Sequence, residues 1–355
     1  MANPLIGTGL HAIGGISAST CYTPYQKIKK WSWETFWLVQ ACFAWIIMPI
    51  LLGIITVPNF FGILGQAPKS EVWGAFLLGA VYGFGGMSFG FSIKHIGYSL
   101  TYTIAIGISA VLGTIFPLLR KGQLTEHFTL PGGNIVIIGM VLSIVGVALC
   151  GISGFHKEKD ITEKQGKSLQ FNMLTGLILA IIGGILSGVF NVSLEEGQPI
   201  SDMVVKDAMI FQGNAKLIVS TSGCFIVNLI WFLVLSIRKK TLIEFTGKSG
   251  IGLNIRLKNF GLSALAGTLW SVQFFFYGLG HVFMGKSQYV SWVLHMSMLI
   301  FFSYIVGIIM KEWKNVKRKT YILLVVALLT LVVSFLVTCY GSMIGEAAGS
   351  IAAGQ

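Results

Sequence analysis

Apolar runs long enough to cross a bilayer recur along the whole chain, and no other feature restricts its fold as much. They fall at about 5–24, 36–57, 72–93, 98–119, 134–153, 172–192, 215–236, 258–280, 289–310 and 321–340. A helix needs about 20 residues to span roughly 30 Å of hydrocarbon, and in lipid each backbone N–H and C=O must be satisfied within its own segment. The 355 residues are 54% hydrophobic, with a mean hydropathy of +0.78. That leaves too little polar surface for a water-soluble domain of this length. The expected fold class is all-α integral membrane, with ten transmembrane helices. The first run has no basic segment before it and no small-residue cleavage site, so it reads as a span and not as a removable signal.

The net charge of +12 would suggest nucleic-acid binding in a soluble protein. Here the basic residues sit in short connectors, where they set orientation. Of the 25 Lys and Arg, 19 fall in the connectors after spans 1, 3, 5, 7 and 9, and 6 in those after spans 2, 4, 6 and 8. The positive-inside rule then puts the odd connectors in the cytoplasm and both termini outside. Lys27, Lys29 and Lys30 in "CYTPYQKIKKWSWETFW" become cytoplasmic anchors, with Trp31, Trp33 and Trp37 at headgroup depth. The expected location is a bacterial cytoplasmic (inner) membrane.

Two glycine patterns repeat at a distance of five spans. Gly14 and Gly15 in span 1 sit in the same Ile-Gly-Gly-Ile setting as Gly183 and Gly184 in span 6. In span 3, Gly79, Gly90 and Gly97 are separated by 11 and 7 residues, as are Gly267, Gly278 and Gly285 in and after span 8. A unit with an odd number of spans enters the membrane from the opposite side when repeated. The expected organisation is therefore two inverted five-helix repeats, 1–156 and 172–340, joined by a cytoplasmic linker at 157–171 and followed by an extracytoplasmic tail at 341–355. Secondary transporters commonly use this plan, with the site near mid-membrane. Small-xxx-small pairs such as Gly79/Gly83 and Gly184/Gly188 also let helices approach closely with no moving part, and Gly341, Gly345 and Gly349 read as a flexible end.

The polar inventory of the spans limits the function. No HExxH, DxxD, Walker loop, GxSxG or paired intramembrane carboxylate occurs, so a hydrolase or an ATP-driven pump lacks its working parts. A channel would need a continuous polar lining. The five cysteines have no CxxC spacing and read as small packing residues; no metal and no cofactor are expected. The ionisable residues with apolar flanks are His11, His281 and His295, and such residues are functional candidates by default. At 100° per residue, Gly7, His11, Gly14, Ala18, Tyr22 and Tyr25 share a stripe. A buried imidazole either ties neighbouring helices together or carries a proton, and the sequence leaves both readings of His11 and His295 open. His281, near a span end, suits the interface.

Span 8 carries Trp270, Gln273, Tyr277 and His281 at spacings of 3, 4 and 4, within one arc. Indole and phenol rings stack on the apolar faces of a sugar while an amide bonds its hydroxyls. The same stripe can serve as core or lipid contact. In span 9, Trp292, His295, Leu299 and Ser303 share a face. Asn191 and Asn228 are lone amides suited to joining helices, and Asn191, Tyr22 and Trp292 complete the candidate sugar contacts. Glu195 and Glu196 lie in the partly acidic connector 193–214, which reads as a wet loop able to gate an outer mouth.

"CYTPYQKIKKWSWETFW", "IAIGI" at 104–108, "VQFFFYGLGH", "SWVLHMS" and "MKEWKN" together resemble the L-rhamnose–proton symporter family of the drug/metabolite transporter superfamily. The resemblance covers most of the chain but not the 193–214 connector or the end after Tyr340. It implies a ten-helix fold of two inverted five-helix halves that moves rhamnose, or a related monosaccharide, inward with a proton; the expected binding cavity is bordered by spans 1, 3, 6, 8 and 9. It does not assign the proton to a residue. The alternative is a transporter of another small metabolite (an amino acid, a drug or a different sugar) on the same fold.

Overall fold

A computed structural model of the chain describes residues 2–96, 98–123, 125, 129–164 and 173–353. These residues form helices, turns and connecting segments, with no β-strand among them. The long helices are α1 (Pro4–Thr20), α2 (Trp33–Thr56), α3 (Lys69–Ile96), α4 (Tyr98–Arg120), α5 (Gly133–Lys164), α6 (Met173–Glu196), α7 (Gly213–Lys239), α8 (Leu253–Phe283), α9 (Ser291–Ile309) and α10 (Arg318–Ala353). Among the described residues nine segments, one in each of α2 to α10, are long and apolar enough to cross a membrane. The chain is a multi-pass membrane protein.

Two compact units form, each drawn from separate stretches of sequence. One holds Met1–Ile16, Gly85–Val192 and Leu279–Gln355, and the other Ser17–Phe84 and Ser193–Gly278. They are called here the histidine unit and the tryptophan unit, after their buried residues.

In the tryptophan unit, Ser32 caps α2, its hydroxyl accepting from the Thr35 N–H and satisfying one of the donors a helix start leaves over. Further along, α2 departs from α geometry. Pro49 has no N–H to reach the Trp45 carbonyl, and its ring crowds that oxygen. The ladder widens into a π-turn over Phe43–Ile47, where the Met48 N–H bonds the Phe43 carbonyl. Close approaches then pair the helices. A methyl on Gly79 of α3 would overlap the Ser220 carbonyl oxygen of α7, and one on Gly267 of α8 would overlap the Gln40 carbonyl oxygen of α2.

The histidine unit uses the same device. A methyl on Gly15 of α1 would lie 3.1 Å from Met298 of α9, and one on Gly184 of α6 would lie 2.7 Å from the Ala105 carbonyl oxygen of α4. In both Ile-Gly-Gly-Ile segments the glycines are buried while Ile13, Ile16, Ile182 and Ile185 face outward. Helices α5 and α10 pack along their length through Gly139 on Thr338, Gly146 on Leu331 and the Ser143–Ser334 hydroxyl pair at 3.0 Å. Gly14 and Gly90 are buried helical positions. Gly278 faces Gly213, with 3.6 Å between an added methyl and the Gly213 Cα. Gly97 lies outside the described residues.

Four boundaries differ from the sequence reading. Helix α1 stops at Thr20, because Pro24 opens a 3-10 turn over Thr23–Lys27 and proline disfavours helix in the residue before it. The 193–214 connector is not a wet loop: α6 continues to Glu196, a short helix follows at Gln198–Asp202, and Ile200, Val204 and Ala208 bury against Phe60 and Ile63. Helix α5 runs on to Lys164, and the rest of the 157–171 segment lies outside the described residues. Helix α10 continues past Tyr340 to Ala353, so the glycines there are helical, and Gly341 packs on Gly132 and Val136.

Candidate functional site

The histidine unit buries His11 and His295 completely. Their rings meet at an edge-to-face angle of 68°, with centroids 5.7 Å apart. Small residues make room for them: a methyl on Gly280 would lie 2.9 Å from His11 Cε1, and one on Gly7 would lie 3.0 Å from the Gly280 carbonyl oxygen. Imidazole is the side chain whose charge changes near neutral pH, and here two of them are buried side by side. His281 belongs to the same unit but is only half-buried.

Trp292 and Asn191, named above as sugar candidates, lie in this unit with their polar groups engaged by the protein. The Trp292 indole N–H donates to the Ser109 carbonyl at 2.9 Å, and the Asn191 amide donates to the Gly113 carbonyl at 2.8 Å. Both acceptors are on α4, where Gly113 leaves space for the Trp292 ring.

The tryptophan unit holds the other stripe. Trp270, Gln273 and Tyr277 are buried on α8. Trp270 tilts against Phe274 at 4.9 Å, and Phe274 lies edge-on to Tyr277 at 6.2 Å. Trp270 also meets Trp45 of α2 at 5.6 Å and 88°. Trp45 continues to Trp37 at 6.2 Å, and Tyr22 stacks on Trp37 at 6.1 Å and 12°. The result is a near-continuous aromatic wall. Tyr22 and Tyr25 take their places from the 3-10 turn, not from the α1 stripe. Asn228 is a joining amide, accepting from the Trp37 indole at 3.2 Å and donating to the Gly83 and Cys224 carbonyls at 3.0 Å each.

Gln40 and Trp45 of α2, both buried, were not singled out in the sequence. The signal was the proline four residues after Trp45, which marks a break in the helical ladder, and π-turns of this kind gather at functional sites.

The charged residues gather in the connectors and towards the helix ends. Lys27, Lys29 and Lys30 are all exposed. The Lys29 backbone is clamped by Asn259, whose amide donates to its carbonyl at 2.7 Å and accepts from its N–H at 3.2 Å. In the histidine unit Lys157 pairs with Glu312 at 2.9 Å and lies over the Trp313 ring. Lys317 bonds Glu163 at 2.6 Å, and that hydrogen bond holds its ammonium pKa above the usual lysine value. Among the described residues no His, Cys, Asp or Glu cluster could hold a metal ion.

Comparison with known proteins gives these features a context. The profile of the L-rhamnose-proton symport protein (RhaT) family matches residues 1–344. An Escherichia coli (strain Crooks) protein named L-rhamnose-proton symporter is 31% identical over 324 residues, covering 90% of this chain and 93% of its own. The proteins of that name from Escherichia coli strains SMS-3-5 and S88 are 32% identical over the same shares. With one family profile spanning nearly the whole length and relatives at this identity, the chain belongs to the L-rhamnose-proton symport protein (RhaT) family.

Proposed function

We propose that this protein imports L-rhamnose, or a close monosaccharide relative, together with a proton by alternating access. The observation that carries this reading is the family match over residues 1–344; the two buried constellations give it chemistry. His11 and His295 are the proton-binding pair, with His281 as the exchange point nearer the helix end. Trp270 and Tyr277 stack on the sugar ring and its methyl, and Gln273 bonds hydroxyls. A membrane potential supplies about 2.3 kcal/mol per charge per 100 mV. At about 1.4 kcal/mol per factor of ten, one proton supports roughly 40-fold accumulation.

The same reading holds that ten spans form two inverted repeats, residues 1–156 and 172–340, as in the drug/metabolite transporters. Its support is the way the glycines pair helices. In the histidine unit α1 meets α9 at Gly15 and α6 meets α4 at Gly184; in the tryptophan unit α8 meets α2 at Gly267 and α3 meets α7 at Gly79. Adding five to each helix number, and counting round from ten, turns the first contact of each pair into the second and returns α5–α10 to itself. Both compact units are closed under that exchange. The basic connectors then put both termini outside the cytoplasmic membrane.

The test is transport. Proteoliposomes carrying the protein should show L-rhamnose counterflow, and rhamnose added to weakly buffered cells should alkalinise the medium while unrelated sugars do not. Counterflow with amino acids but not with rhamnose would overturn the reading.

A further inference from the structure

We propose that Gln40 and Trp45 on α2 are sugar-recognising residues that decide which hydroxyl pattern is transported; this rests on the reading of the α8 stripe as the sugar-binding face. The polar groups of the tryptophan unit divide into two kinds. The Trp37 indole and the Asn228 amide are satisfied by each other and by the Gly83 and Cys224 carbonyls. Gln40 Oε1, Trp45 Nε1 and Ser271 Oγ have no hydrogen-bond partner among the described residues, although all three side chains are at least 96% buried. A buried polar atom left unbonded is costly, more so where lipid replaces water. Such groups are rare in native proteins and each calls for an explanation; a ligand that bonds them is the one proposed here.

The three residues lie on α2 and α8, the two helices whose rings meet at Trp270. Ser271 follows it in the chain. Trp45 stands at 88° to its ring with 5.6 Å between centroids, held there by the π-turn that Pro49 imposes. The Gln40 backbone packs on Gly267, one helical turn before Trp270, which sets Gln40 on the face of α2 that meets α8. An acceptor, a donor and a hydroxyl are thus carried by the two helices that meet at this aromatic pair, and a sugar hydroxyl both gives and takes a hydrogen bond. Gln40 Oε1 accepts from one sugar hydroxyl, and the Trp45 N–H donates to a sugar oxygen. Sites of this type reject an analogue lacking the matching hydroxyl far better than an apolar pocket can, because the protein group is then left unpaired.

The experiment compares wild type, Gln40→Leu, Trp45→Phe, Gln273→Leu and Trp270→Phe in proteoliposome counterflow with L-rhamnose and its monodeoxy analogues. Gln40→Leu and Trp45→Phe should each raise the rhamnose KM about five- to tenfold with Vmax within twofold, the worth of one hydrogen bond. Each should also lose discrimination against one particular deoxy analogue. Sugar-free Gln40→Leu should unfold at the wild-type temperature or above, since it removes an unbonded amide. Wild-type KM in both α2 variants, or a Gln40→Leu protein that unfolds early or fails to fold, would overturn the proposal. Should Trp45→Phe not reach the membrane, Gln40→Leu decides alone. If the α8 variants raise KM and the α2 variants do not, only this inference falls; wild-type KM in the α8 variants removes the reading beneath it as well.

Discussion

His11 and His295, 284 positions apart in the chain, lie edge to face with 5.7 Å between ring centroids. Two imidazolium charges at that separation repel by about 3 kcal/mol at an effective dielectric constant of 20, so under the proposed coupling the pair holds one proton at a time. His11→Gln or His295→Gln should abolish accumulation driven by a proton gradient while rhamnose counterflow survives. Proton-to-sugar ratio, read from simultaneous pH and label uptake, should be one in wild type. Normal accumulation in both variants would take the proton away from this pair.

The glycine contacts predict a matched set of losses. Gly79→Ala and Gly267→Ala each drive a methyl into a carbonyl oxygen of the facing helix, a clash costing about 1–3 kcal/mol. Gly86, on the same helix as Gly79, has nothing within 4 Å of the added carbon. Gly86→Ala should be neutral or stabilising by up to about 1 kcal/mol through helix propensity. Thermal unfolding in detergent distinguishes the two classes.

How much of this could be read from sequence depends on whether a helix keeps its phase. Trp270, Gln273 and Tyr277 share a face because α8 is regular there, and the spacing alone found them. Gln40 and Trp45 escaped because the π-turn between them shifts the register, and their neighbour Gly267 is more than 200 positions away. Tyr22 and Tyr25 were assigned to a stripe that ends at Thr20, where Pro24 takes over the backbone. The 193–214 connector reads as wet from its acidic residues, yet Ile200, Val204 and Ala208 recur every four positions and form a buried face. Glycines at 341 and 345 suggested flexibility, whereas their spacing serves contact with the backbone near Pro131 and Gly132.

Trp292, a sugar candidate from the sequence, has its polar group engaged by the protein. Its N–H is spent on the Ser109 carbonyl at 2.9 Å and its indole fills the space above Gly113. Trp292→Phe should lower stability by about 1–2 kcal/mol, from the lost hydrogen bond and a small cavity, and leave the rhamnose KM unchanged. A raised KM at full stability would return Trp292 to the sugar contacts.

Asp160 ties the end of α5 to the start of α10. Its carboxylate accepts from the Thr320 hydroxyl at 2.7 Å and the Lys317 N–H at 2.9 Å, and pairs with the Lys317 ammonium at 3.4 Å. An anion at a helix N-terminus is favoured by the unpaired N–H groups and the dipole, and here it is one of the clamps on the connector holding Lys311, Lys314 and Lys317. Asp160→Ala should free that connector at a cost of about 1–3 kcal/mol. Trypsin cleavage there should quicken about tenfold for each 1.4 kcal/mol of local opening lost. Orientation enters the same measurement, because the connector after the ninth span is cytoplasmic in the proposed topology. Acceleration should be seen in inside-out vesicles and not in sealed right-side-out ones; cleavage from the outer face would reverse the assignment of every connector.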